Sequence, residues 1–500
     1  MSIAWRYTEI DIAIIITQNC ALMKSSHLIG FLVALIASLP VVAQDYLDDR
    51  YGQLIQEFTT SPRFMNDLVD HLPASETVPS PLEFFGTIIG DPTGLHNTTE
   101  IYRYLRAVAD ASDRVQIRSI GTSEEGREMI EVIVSSVENM SDLDANRTRL
   151  NRLADPRTLE EDEAQQLIAS STPIYYITAG LHSPETGSPE MVMELAYRLA
   201  VGESDMIQRI RENVVLVFTP VAEPDGRDRV VDIYKYAAAN DSIGPNLTYW
   251  GAYVAHDNNR DGYGLALALT RNILDSFTYW KPQVMHDLHE SANYLYVSTG
   301  LGPYNEHIDP ITIDEWHKIA YEEVAELTKR DMPGVWTHAF YNGWAANYLI
   351  WIANTRNSTG RFYETLGNSK PGTYERKLNK SSTSRKWYRP NPPLEKVDWS
   401  LRNNTNYMQS GVLVALNYVA ENATDFVENF YLKSKRSVQA GMDRAPYAWV
   451  IPEDQLRTVG TRDLIDLLRR QGLEVHRATD ELTWMDDETE LSASAGSYVI

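Results

Sequence analysis

From about Thr98 onward, apolar and polar positions alternate in two different rhythms. "EIYRYLRAVADA" (100–111) places its apolar residues at helical spacing, whereas "MIEVIVSS", "PIYYITA", "VVLVFTP", "PQVMHDLHE" and "RFYETL" are short runs rich in β-branched and aromatic residues. Runs this short and this apolar predict strands covered on both faces. Between them, helical spacing recurs over 188–200, 311–329, 344–353 and 404–433. Strands separated by helices imply an α/β domain with a mixed, mostly parallel central sheet flanked by helices.

The same rhythms divide the chain. Residues 44–95 are mixed and punctuated by proline, and read as an N-terminal extension of a domain over 96–434. Past a boundary near 435–446, "YAWVIP" predicts a strand, "RDLIDLLRRQG" a helix closed by Gly472, and "LEVHRA" a second strand. This is an incomplete β-α-β unit over 445–500, the start of a second, Rossmann-like α/β domain. The final "GSYVI" is an apolar strand without a turn after it, so the sequence is expected to be a fragment of a longer protein.

Composition adds exclusions. With 500 residues, 43% of them hydrophobic, the chain has enough apolar surface for a large domain and a smaller one. Its net charge of -24 includes no basic block able to track phosphates, so nucleic acid is not an expected partner. The basic stretch 368–398 reads as an exposed flap. From Met23, "MKSSHLIGFLVALIASLPVVAQDY" has a lysine, an apolar run and small residues ending at Ala43, the pattern of a signal peptide over 23–43. Pro40 cuts the run short of the about 18–20 apolar residues a membrane span needs, so no stable membrane anchor is expected after cleavage near Ala43. Residues 1–22 read as a misassigned start and hold the sole cysteine, Cys20. A mature chain without thiols suits a secreted or periplasmic protein whose core needs no disulfides.

Candidate chemistry begins at "LHSPETGSPE" (181–190), directly after "PIYYITAG". Ser188-Pro189-Glu190 has the form of a helix start, with Ser188 as the cap. His182 and Glu185 therefore lie on the loop past the carboxyl end of a strand, where open α/β sheets place their sites. With eleven histidines, one His-x-x-Glu is expected by chance, and one occurs; the spacing decides little alone. A catalytic zinc needs a third protein ligand and an open position. In "QVMHDLHES", alternation puts Asp287 and His289 on one strand face and His286 on the other. This selects His289 as the ligand, Asp287 as its companion and His286 as a core histidine.

From "SIGTSEEGREMIEVIVSS" (119–136) to the helix near 430, the chain resembles the zinc carboxypeptidases, the carboxypeptidase A/B-like metallopeptidases. It carries "SEEGR", "HSPE", "EPDG", "DNNRDG", "HDLHE" and "RFYETLGN" in the family's order. The resemblance implies one zinc ion per chain held by His182, Glu185 and His289. It implies that Glu364 takes a proton from the activated water and passes it to the leaving amine. Asn259 and Arg260 match the pair that grips the substrate's terminal carboxylate, and Tyr341 matches the mobile tyrosine that closes over substrate. The implied partners are peptide or protein C-termini.

Three departures accompany the match. Pro184 stands where many members have an arginine, "EPDG" replaces "NPDG", and no arginine lies between Gly226 and Arg260 other than Arg227 and Arg229. Lys235 is the candidate left for stabilising the oxyanion. Residues 342–363 contain no Asp or Glu, which disfavours a basic C-terminal residue and allows an apolar or aromatic one. Trp344, Tyr348, Leu349 and Trp351 are either helix core or pocket wall. The unit at 445–500 resembles the start of a class I glutamine amidotransferase-like domain without its nucleophile, and so an accessory domain. The leading expectation is a secreted zinc-dependent metallocarboxypeptidase. A zinc amidohydrolase acting on peptidoglycan peptides or N-acyl amino acids is the alternative, and an inert binding protein keeping the fold is a third reading.

Overall fold

Eight strands form the central sheet: β1 (Val115–Thr122), β2 (Glu128–Val134), β3 (Ile174–Ala179), β4 (Val215–Thr219), β5 (Val284–Ser291), β6 (Leu295–Val297), β7 (Val335–Trp336) and β8 (Thr359–Leu366), in the order β1-β2-β4-β3-β5-β8-β6-β7. The coordinates are a computed structural model that describes residues 46–248, 257–486 and 488–500. The expected signal peptide, residues 1–22 and Cys20 lie outside the described residues. The four central strands β4, β3, β5 and β8 are mutually parallel, and antiparallel pairing enters through β1, β2 and β6. The sheet is therefore mixed and mostly parallel at its centre, as the strand and helix rhythms imply.

Every residue of β3 and β4 is buried, because helices cover both faces. They include α1 (Thr98–Asp110), α2 (Gly187–Val201), α3 (Pro224–Ala239), α4 (Ala268–Trp280), α5 (Pro310–Lys329), α6 (Leu401–Glu421) and α7 (Ala423–Asp443); a further helix, α8 (Thr458–Arg470), follows them in the chain and is mostly exposed. One apolar cluster joins the sheet to α1, α2, α5 and α6; a second joins it to α4 and α7. The segment before α1 packs on the first cluster through Tyr51, Ile55, Phe64 and Leu72. It is fixed there by a buried ion pair: Arg402 donates to Glu194 at 2.6 and 3.0 Å, and the Tyr51 hydroxyl donates to the same carboxylate at 2.8 Å.

Three predicted elements differ. The helix expected over 404–433 is two helices, separated at Asn422. Within 344–353 only Trp351–Asn354 is helical. Its earlier backbone groups are taken by tertiary bonds, from Leu349 N to Asn259 Oδ1 (2.7 Å) and from Gly262 N to Asn347 O (3.0 Å). The polar stretch 368–398 expected as a flap is crossed by two paired strands, β9 (Tyr374–Lys377) and β10 (Lys396–Trp399). Near the C-terminus, Val450–Ile451 and His476–Arg477 flank α8 in sequence and both pair antiparallel with Tyr498–Val499. Among the described residues, no helix is long and apolar enough to cross a membrane.

Candidate active site

The carboxyl ends of β3, β5 and β8 meet at one cleft. β3 hands over to the loop 181–186 at Gly180, whose φ of +66° and closeness to Pro189 leave no room for a side chain. The loop closes on itself through Glu185 N donating to His182 O at 2.9 Å. The expected cap at Ser188 is displaced, because α2 already begins at Gly187. Gly187 N donates to the Glu290 carboxylate at 2.7 Å, while the Ser188 hydroxyl accepts from Gly180 N at 3.0 Å. A distant strand thus caps this helix, and the serine ties its first turn to the end of β3.

Alternation along β5 sets the rest. Asp287 and His289 face the cleft, whereas His286 points into the core and meets the Tyr175 hydroxyl through Nδ1 at 2.8 Å. On the neighbouring parallel strand, Glu364 is in register with His289.

His182, Glu185 and His289 offer ligand atoms that all lie within 4.8 Å of one another. Nδ1 of His182 lies 2.8 Å from Glu185 Oε1, and Nδ1 of His289 lies 3.0 Å from Oε2 of the same carboxylate. The opposite ring nitrogens are held by other carboxylates: His182 Nε2 by Asp257 at 2.9 Å, and His289 Nε2 by Asp287 at 2.6 Å. Asp287 in turn accepts from the Thr178 hydroxyl at 2.5 Å. A carboxylate behind each ring fixes its orientation, and both Nδ1 atoms face the single Glu185 carboxylate, the arrangement in which outer carboxylates orient metal-binding histidines.

The same contacts set the charges. Burial opposes the charged His182 ring, but bonds to Asp257 and Glu185 outweigh it and raise its pKa to about 9. The His182 bond lowers Asp257 to about 2. Burial pushes the Glu364 carboxyl up to about 7, against the pull of the His289 charge and of the hydroxyl of Tyr341, which donates to it at 2.6 Å.

Asn259 and Arg260 occupy the opposite rim. Asn259 Nδ2 lies 3.1 Å from His289 Nε2. Arg260 pairs with Asp257 at 3.0 Å and lies over the Tyr348 ring, 4.7 Å from its centroid. These residues line a cavity of about 150 Å³ with Tyr341, Glu364, Glu290, Ile350 and Phe362. Of the four aromatic and apolar residues weighed as pocket wall or helix core, Tyr348 lines the cavity, Leu349 is buried in the core, and Trp344 and Trp351 line neither the cavity nor the main clusters.

Lys235 is removed from the site. It lies on the exposed side of α3 with its ammonium 3.2 Å from Glu100, because helical spacing turns it away from the cleft. Arg227 is buried against Glu190, and Arg229 pairs with Glu125. Among the described residues, Arg260 is the one lysine or arginine lining the cavity. The glutamate of "EPDG" has a plain role: Glu223 caps α3 by accepting from Gly226 N at 3.2 Å. Asp257 was overlooked by sequence reasoning, although it opens the quoted "DNNRDG"; nothing in the spacing shows that a loop residue reaches back to His182.

The sequence profile of the family described as zinc carboxypeptidase matches residues 101–365, more than half of the chain. This chain belongs to the zinc carboxypeptidase family. No curated protein matches it. Among solved structures it is similar to a metallo-carboxypeptidase from Burkholderia cenocepacia (15% identity, TM-score 0.41, 65% of this chain and 70% of that one). It is also similar to a metallo-carboxypeptidase from Pseudomonas aeruginosa in complex with (2-guanidinoethylmercapto)succinic acid (14%, 0.43, 66% and 70%) and to thrombin activatable fibrinolysis inhibitor (14%, 0.41, 80% and 89%). Zinc is the family's metal, and the donor set here suits it: two imidazoles and one carboxylate on the wall of a cavity, leaving room for a fourth position. Zinc carboxypeptidases are metallopeptidases, and this chain retains the fold and the donors of one.

Proposed function

We propose that the protein is an exported metallocarboxypeptidase that hydrolyses the C-terminal peptide bond of peptides or proteins. The observation that carries this reading is the convergence of both imidazole Nδ1 atoms on Glu185, with Glu364 on the adjacent strand in register with His289. His182, Glu185 and His289 hold one zinc ion, which when bound supplies Lewis-acid activation to the hydrolysis. Asp257 and Asp287 keep the two rings oriented. Glu364 accepts the proton of the attacking water and delivers it to the leaving amine, a role favoured by a pKa of about 7. The Tyr341 hydroxyl orients that carboxylate and leaves it when substrate enters.

Arg260 exchanges its contact with Asp257 for the terminal carboxylate of the substrate, which the guanidinium fork can grip through two oxygens. Asn259 assists through its amide. With Lys235 gone from the cleft, Arg260 is the one lysine or arginine on the cavity wall among the described residues, and its fork is taken by the terminal carboxylate. Ile350 and Phe362 give an apolar wall, and Glu290, the cavity's remaining carboxylate, is occupied by Gly187 N and Asn404 Nδ2. An apolar or aromatic C-terminal residue is therefore preferred to a basic one.

Export rests on the signal-like segment 23–43. The domain division at 96–434 and 445–500, and an accessory, glutamine amidotransferase-like character for the latter, belong to the same proposal. Nucleic acid is not a partner.

The test is metal analysis of the mature chain together with assays of wild type and Glu364→Gln on a blocked dipeptide with an apolar C-terminal residue. One zinc per chain, and hydrolysis abolished by a chelator and by Glu364→Gln with zinc retained, is the expected result. Zinc without turnover refutes the peptidase, and absence of zinc refutes the site.

A further inference from the structure

Beside the cleft, the backbone does something side chains normally forbid. His338, Ala339 and Phe340 are three consecutive non-glycine residues in the left-handed region, with φ of +74°, +53° and +69°. Each such residue is disfavoured, and a run of three persists only where surrounding contacts impose it. Here His338 N donates to Thr299 Oγ1 (3.1 Å), the Tyr296 hydroxyl donates to Ala339 O (2.5 Å), and Leu301 N donates to Tyr341 O (2.8 Å). The run turns Tyr341 inward to Glu364 while leaving Phe340 half exposed, at 52%.

Tyr341 is the inner end of a row of rings. From Tyr341 the contacts pass to Phe340, Trp336, Tyr388 and Trp387 in four steps of 4.7, 5.7, 6.0 and 5.4 Å. Trp387 is 66% exposed. Directly before it in the chain are the exposed Arg385 and Lys386, and the exposed Lys380 precedes them; none of the three has an ion pair among the described residues, on a chain whose net charge is -24. The turn that carries them is pinned by Arg389, which donates to Ser381 O and Ser384 O at 2.7 and 2.9 Å.

We propose that this row is a second recognition surface, which binds the part of a substrate peptide upstream of the bond to be cut and favours aromatic and acidic residues there. The proposal rests on the carboxypeptidase reading. In such an enzyme the C-terminal residue ends inside the cavity, so only the upstream chain leaves the cleft, and Tyr341 belongs to both cavity and row. Four ring steps correspond to at most about six residues of extended chain. Exposed rings attract apolar and aromatic side chains, and the unpaired cations attract carboxylates that the rest of this acidic surface repels.

The test compares kcat/KM for a blocked dipeptide with that for a heptapeptide of the same C-terminal residue bearing phenylalanine and glutamates upstream. Binding of the dansylated heptapeptide to Glu364→Gln is read by fluorescence anisotropy. The expected heptapeptide-to-dipeptide ratio falls about tenfold in Trp387→Ala, and falls in Lys386→Glu at low salt but not at high salt. The dipeptide serves as the internal control for folding. A ratio unchanged in Trp387→Ala overturns the proposal, as does heptapeptide binding to Glu364→Gln that is indifferent to Trp387→Ala. Displacement of a bound chitin oligosaccharide but not of peptide by the same substitution also overturns it, in favour of a glycan surface. If neither peptide is cut but the Glu364→Gln protein still binds the heptapeptide through Trp387, the peptidase reading fails while the surface stands.

Discussion

Glu364 experiences two opposed influences. Burial raises its carboxyl to about 7, while the Tyr341 hydroxyl favours the anion. The general base proposed for this position acts ionised, so on that proposal activity is present above this pKa and lost as pH falls through it. The acid limb of kcat/KM is expected near pH 7, and Tyr341→Phe is expected to move it upward; a limb left near the ordinary glutamate range of about 4 argues against the buried setting. Glu364→Gln should reduce kcat by roughly 10²–10⁴. Behind the ligands, Asp287→Asn should weaken zinc binding by about 10–100-fold in a chelator competition, because the His289 ring loses the carboxylate that orients it. Asp287 was legible in the sequence through strand alternation. Asp257, which performs the same service for His182, was not, since its loop has no period to read. Lys235 was misassigned for the converse reason: chemistry suited it, but its place on a helix face did not.

At the scale of elements, the metal loop depends on a cap supplied from another strand. The Glu290 carboxylate, 103 residues downstream of Gly187, accepts from Gly187 N and Asn404 Nδ2. Glu290→Ala should therefore lower stability by about 1–2 kcal/mol, as loss of a helix cap does, and should weaken zinc binding although Glu290 is not a ligand. A thermal melt with and without zinc measures both. Local sequence placed the start of α2 at Ser188 because serine and proline are ordinary cap residues. The real boundary is set by tertiary contact, as is the loss of helix over 344–350, where Asn259 and Gly262 claim the backbone.

Across the molecule, the best predictors of strands were apolar runs, and all five became strands of the central sheet. Their order was not legible, because residue patterns record which faces are buried rather than which neighbour buries them. The region before α1 is held by Glu194 and Arg402, both fully buried. Arg402→Ala leaves Glu194 without its main partner and should cost about 3–5 kcal/mol, read as a lower denaturant midpoint. Saturating zinc should raise the melting temperature of wild type by mass action, with a smaller gain in His289→Ala.

The sheet order also has a consequence in time. β6 and β7 precede β8 in the sequence, yet β8 lies between β5 and β6 and separates them. Until the ribosome has delivered β8, β6 lacks its antiparallel neighbour and His289 stands on an open edge with nothing across from it. The strand that completes the sheet also brings Glu364, so on the proposed mechanism a growing chain has no general base before its central sheet is whole.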